Sequence, residues 1–123
     1  MPNINAALGC AQLEQLAAFL VSNRRLTAPY LNAFENIADL VPMQEPPSCQ
    51  SNYWLQSMIL GESTAGQRDR ILEATNDAGL MTRPTWMPMH KLAPYQACPH
   101  APLSVTESLG SRIINIPSSA GLV

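Results

Sequence analysis

Arg83, Trp86 and His90 stand within eight residues of one another, and each brings a different chemistry. A guanidinium offers paired N–H donors that match a carboxylate or phosphate. An indole offers a flat apolar wall for a ring. An imidazole donates or accepts a proton near neutral pH. Together the three suit an anionic, ring-bearing small molecule such as a nucleotide-linked sugar. Each residue also has an ordinary reading: a solvated charge, a cover for the core, a hydrogen-bonded loop histidine.

They lie in the stretch Thr82 to Tyr95, with Lys91, the only lysine, and the prolines Pro84, Pro88 and Pro94. Three prolines so close exclude a helix interior, because each removes an N–H and clashes with the preceding turn. The stretch is predicted to be an extended, stiff edge segment running into a loop. Rigidly held loops are where binding residues concentrate.

Other chemistry has less support. His90 and His100 are the only histidines, and no G-x-S-x-G elbow or glycine-rich phosphate loop is present. The best metal candidates are His90, Cys98 and His100. No C-x-x-C or H-E-x-x-H spacing accompanies them, so no metal site is expected.

The composition sets the frame. A chain of 123 residues fits one domain with a modest core. Only 13% of residues are charged, against about 25% in ordinary globular proteins. Such a chain is expected to hide much of its surface against something else. The net charge of −2, with basic residues clustered only as Arg24-Arg25 and as Arg68 with Arg70, argues against a nucleic-acid partner. No run approaches the ~18 apolar residues of a membrane helix, and the start lacks the basic region of a secretory signal. Cys10, Cys49 and Cys98 are odd in number and far apart. Reduced thiols in a cytoplasmic protein are the expectation.

Alternating helix and strand patterns should position the candidate segment. Leu13, Leu16 and Leu20, with Ala17 and Val21, predict a long helix from about Asn5 to Phe34, kinked or split near Thr27 by Pro29. Its first turns, Ile4 to Ala11, are apolar almost all round. They belong either in the core or against a partner chain or an absent domain. Asn52 to Leu60 reads as a central strand ended by Gly61. Capping boxes at Thr64-Ala-Gly-Gln67 and Ser104-Val-Thr-Glu107 open two further helices. The first of these helices ends at Gly79, well placed as a left-handed cap. Strands are predicted over Leu80–Met87 and Ile113–Ile116, the latter stopped by Pro117. The fold class is α+β: a long N-terminal helix and shorter helices packed on a small, mostly antiparallel sheet of three to four strands.

These motifs also stand in a familiar order. The start, Met1-Pro-Asn-Ile-Asn-Ala-Ala-Leu-Gly-Cys-Ala-Gln-Leu-Glu-Gln-Leu16, resembles a segment of the DegT/DnrJ/EryC1/StrS sugar aminotransferases. Asn52-Tyr-Trp, Arg68-Asp-Arg-Ile-Leu, Asn76-Asp-Ala-Gly79, Thr82 to His90, Pro94-Tyr95 and Arg112 to Ser119 agree with it in register. The similarity is greatest to members that aminate nucleotide-linked sugars in nonulosonic-acid or perosamine pathways. The resemblance implies a pyridoxal-phosphate transaminase on keto-sugars, and a fold equivalent to the small domain of fold type I enzymes. Residues 1–123 would be that C-terminal small domain, with the large cofactor-binding domain absent. Arg83, Thr85, Trp86 and His90 would be its substrate-binding residues. Lys91 does not match the family's Schiff-base lysine, so no cofactor and no turnover are expected of this chain alone. Self-association through the apolar N-terminal helix, as a homo-oligomer, and residual nucleotide-sugar binding are the alternative roles.

Overall fold

Hydrophobic alternation in two segments builds the centre of the sheet. In β2 (Gln56–Leu60) every second residue, Gln56, Met58 and Leu60, is buried. In β4 (Ile113–Ile116) the buried residue is Ile114, which pairs with Met58. Two shorter strands flank them, β1 (Leu40–Pro42) beside β2 and β3 (Arg83–Pro84) beside β4. The order is β1-β2-β4-β3, and every neighbouring pair is antiparallel. The computed structural model describes residues 2–122; Met1 and Val123 lie outside the described residues. The α+β reading therefore holds, with helices packed on a four-stranded sheet.

Two predicted strands are shorter than expected. The first begins at Gln56 rather than Asn52. Tyr53 has φ +46°, a left-handed conformation that an extended strand cannot contain. Local side chains take the backbone donors there instead of a ladder: Ser51 Oγ accepts from Tyr53 N, and Asn52 Oδ1 from Trp54 N, both at 3.0 Å. The strand expected over Leu80–Met87 shrinks to Arg83–Pro84. Pro84 has no N–H to continue a ladder, which confines it to an edge.

The long N-terminal helix is also divided differently. α1 (Asn3–Glu14) and α2 (Leu16–Phe34) meet at a 57° bend at Gln15. The Gln15 side-chain amide donates to Ala11 O at 3.4 Å, while its backbone N–H turns to Gln12 O at 3.2 Å. A side chain thus enters the i→i−4 ladder, a recognised cause of a break. Pro29, the expected breaking point, sits inside an uninterrupted α2. Arg25, whose carbonyl lacks its usual partner four residues on, is an exposed residue. No single helix among the described residues is long and apolar enough to cross a membrane; α1 and α2 reach that length and composition only together, across their bend.

α2 covers the buried face of the sheet. Leu26 joins Met58, Leu60 and Ile114 as the buried apolar side chains among the described residues. Within that core Gln56 Nε2 donates to Thr27 Oγ1 at 2.9 Å, so neither polar group is orphaned. α1 contributes nothing to it. Ile4, Leu8 and Leu13 are each more than 60% exposed, which overturns a core role for this end.

α3 (Arg68–Asp77) follows a 3₁₀ turn, Ala65–Gln67. Its end is a full Schellman motif. Gly79 has φ +81°, its N–H donates to Asn76 O, and Leu80 N donates to Thr75 O, both at 2.9 Å. The two expected capping boxes do not form. The Thr64 hydroxyl bonds Gly61 O rather than the helix start. In α4 (Ser104–Arg112), Glu107 is drawn away from the backbone by His90 and Lys91.

Candidate substrate cleft

Arg83 and Trp86 do line a common cleft. It is an open hollow of about 1040 Å³ between α2, the β3–β4 edge and the chain following β4. β3 holds Arg83 opposite Asn115 of β4. Asn115 is fixed in turn, with its Oδ1 accepting from Ser57 Oγ at 2.7 Å. Tyr30 of α2 forms part of the wall and donates its hydroxyl to Pro117 O at 2.9 Å. Burial raises the Tyr30 pKa, so the phenol is neutral at physiological pH and remains a donor. Ser118 and Ser119 add hydroxyls at the rim. Arg83 is exposed and has no ion-pair partner among the described residues. Its charge is therefore available to a ligand.

Trp54 joins them from a segment that sequence reading assigned to a strand. The Trp54 and Trp86 rings stack with centroids 6.0 Å apart and planes 25° from parallel. That is the offset arrangement aromatic quadrupoles favour. Nothing local in the chain marks Trp54 for this role, because its partner is remote in sequence.

His90 and Thr85 do not join the cleft. Thr85 is half-buried between Pro84 and Trp86 and is not part of the lining. His90 lies on a 3₁₀ turn, Met89–Lys91, beside a separate hollow that Cys98 and His100 share. Its Nε2 is 2.9 Å from Glu107 Oε1, and Lys91 Nζ is 3.7 Å from Glu107 Oε2. The hydrogen bond to His90, with the Lys91 charge nearby, holds the Glu107 carboxyl below its usual range. The ring of His100 stands 5.1 Å from that of His90. Among the described residues no group of three His, Cys, Asp or Glu side chains could hold a metal ion. The expected constellation therefore divides. Arg83 and Trp86 face a ligand-sized opening, while His90 fastens a surface segment to α4.

Comparison with known proteins gives this geometry a context. The family model for the DegT/DnrJ/EryC1/StrS aminotransferase family matches residues 1–123. The chain belongs to the DegT/DnrJ/EryC1/StrS aminotransferase family. Its relatives in this family include the GDP-perosamine synthase of Escherichia coli O157:H7, 33% identical over 123 residues, with 99% of this chain and 32% of the relative covered. The GDP-perosamine synthase of Caulobacter vibrioides is 29% identical, over 99% of this chain and 33% of that protein. The chain thus spans about a third of the length of the curated relatives it matches. Among solved structures, DesI in the presence of its TDP-sugar product matches with TM-score 0.86 and 28% identity, over 96% of this chain and 31% of that one. Helicobacter pylori PseC, an aminotransferase of pseudoaminic acid biosynthesis, shares the fold at TM-score 0.85 and 23% identity, over 98% and 33%.

The family's cofactor is pyridoxal phosphate, which needs an amine placed to take its carbonyl and donors to hold its phosphate. The amine available here does not fit. Lys91 is the only lysine. Its side chain is 46% exposed and its Nζ is paired with the Glu107 carboxylate, away from the cleft. By itself this set of residues does not make the cofactor's site.

Proposed function

We propose that this chain is the substrate-facing small domain of a sugar aminotransferase acting on nucleotide-linked keto-sugars, with no turnover of its own. The cleft that groups Arg83 with the Trp54–Trp86 pair carries this reading. A guanidinium beside two aromatic faces is the chemistry a sugar diphosphate with a planar base requires. The names of the GDP-perosamine synthase relatives support the substrate class. Arg83 would hold an anionic group and Trp86 would pack on a ring. Thr85 and His90 would shape the segment that carries them. The cofactor carries the chemistry of transamination, so its lysine would have to come from polypeptide other than this chain.

A transaminase assay on the purified chain, with pyridoxal phosphate, an amino donor and a nucleotide keto-sugar, is expected to give no product. No absorbance band of a lysine-held cofactor should appear. Turnover would overturn the proposal.

A second reading, self-association, rests on the exposure of Ile4, Leu8 and Leu13 along α1. Apolar surface of this kind marks an interaction site or an aggregation hazard. Light scattering should report a mass above the monomer, falling toward 13.4 kDa in Ile4→Glu/Leu8→Glu. A monomeric wild type would refute it.

A further inference from the structure

The loop that delivers Trp54 to the cleft is held by a fastening out of proportion to its exposed position. Arg24 of α2 grips the Glu45 carboxylate with both terminal nitrogens, at 3.1 and 3.0 Å. The same guanidinium donates to Ser51 O at 2.6 Å, and Ser51 N returns a 2.6 Å bond to Glu45 Oε2. Glu45 N donates to the Tyr53 hydroxyl at 3.3 Å, and the guanidinium carbon sits 5.5 Å from the Tyr53 ring centroid. A bidentate fork of this kind fixes geometry as well as contributing energy. It also holds Tyr53 in a left-handed conformation that a bulky residue rarely adopts. Such strain persists only where surrounding contacts enforce it, and it collects at functional sites. The residue re-aimed by that strained turn is Trp54. Trp54 is 63% exposed, stacks on Trp86, itself 70% exposed, and borders the cleft.

We infer that the Arg24–Glu45 clasp positions Trp54 so that Trp54 and Trp86 together form a two-indole platform, beside Arg83, for a planar aromatic ring bearing an anionic group. The inference rests on the proposed function, and it adds Trp54 as a ring-contacting residue and Arg24 and Glu45 as positioning residues. The spacing dictates how the ring is received. Two van der Waals contacts of about 3.5 Å each would need some 7 Å between indoles. At 6.0 Å a third ring cannot enter between them. It must lie on the free outer surface of the pair, with its anionic substituent toward Arg83.

Two readouts test the clasp and the platform separately. Coupled indoles at this distance give an exciton couplet in far-ultraviolet circular dichroism, which Trp54→Phe or Trp86→Phe should abolish. Glu45→Gln and Arg24→Lys, which cannot form the charged fork, should also lose the couplet at unchanged helical signal. For ligand binding the probe is guanosine diphosphate, with inorganic pyrophosphate as the ringless control. The diphosphate nucleoside should quench wild-type tryptophan fluorescence, and pyrophosphate should not. Trp54→Ala should weaken nucleotide binding by at least about fivefold, the low end of base–aromatic stacking, and Glu45→Gln should weaken it in the same direction. A couplet that survives in both Glu45→Gln and Arg24→Lys overturns the clasp. Unchanged nucleotide affinity in Trp54→Ala overturns the platform and leaves the functional reading standing. A wild type that shows the couplet but is not quenched overturns the ligand assignment together with the functional reading. If a clasp variant loses its helical signal, Trp54→Ala decides, because Trp54 is exposed and is not part of the core.

Discussion

Three carboxylates couple this structure to pH. Glu45 is held below its usual range by the hydrogen bonds from Arg24 and then by Ser51 N–H. Glu107 is lowered by His90 and by Lys91. Asp39 is lowered by the Ser63 and Thr64 hydroxyls, with Ser63 the nearest partner. A carboxyl with a depressed folded pKa adds stability above its unfolded value, and that stability is lost as pH falls through the folded value. Thermal midpoints should therefore be flat from neutrality to about pH 5 and fall below about pH 4, near the ordinary carboxylate values. Glu107→Gln should start lower at neutral pH and fall less steeply in acid. A parallel, equally steep curve for that variant would show that the His90–Glu107 contact does not contribute.

At the scale of elements, the two ends of the helical arm behave differently from their sequence. Proline in a helix interior costs about 3 kcal/mol through a lost hydrogen bond and a clash. Pro29 nevertheless lies within α2 and lines the cleft. Pro29→Ala restores a backbone donor for Arg25 O but frees the unfolded chain by about 0.4–1 kcal/mol. The net expectation is a stabilisation of about 2–2.6 kcal/mol, read as a rise in the denaturant midpoint. A loss of stability would mean that the ring's packing against the cleft outweighs the missing bond. The same contrast explains what could be read from sequence. β2, β4 and α3 were legible because alternation, Pro117 and Gly79 act within a few residues. The break at Gln15 was not, since it depends on which carbonyl one flexible side chain chooses. The shortened strand before Gln56 was hidden for a similar reason: Tyr53 turns left-handed under a clasp whose other half, Arg24, belongs to α2.

The whole molecule buries few side chains. With a core of Leu26, Met58, Leu60 and Ile114 among the described residues, each member carries a large share of the stability. Ile114 joins β2, β4 and β3 through its pairing with Met58 and Pro84. Ile114→Ala should cost about 2–5 kcal/mol, against total stabilities of about 5–15 kcal/mol for a domain. Urea titration followed by circular dichroism would measure it, and a cost under about 1 kcal/mol would show that the cavity collapses fully.

Residue order alone determined the family, the α+β class, the edge position of Arg83 and the Schellman end at Gly79. Each of these follows from identities and spacings that act locally or that recur in relatives. Tertiary structure alone decided which chemistry-bearing residues meet. It separated His90 from Arg83 and Trp86, because Glu107 on α4 captures the imidazole. It brought Trp54 to Trp86, because an ion pair between α2 and the preceding loop turns the backbone at Tyr53. Such contacts depend on how separate elements come to rest against one another, and no spacing along the chain records that.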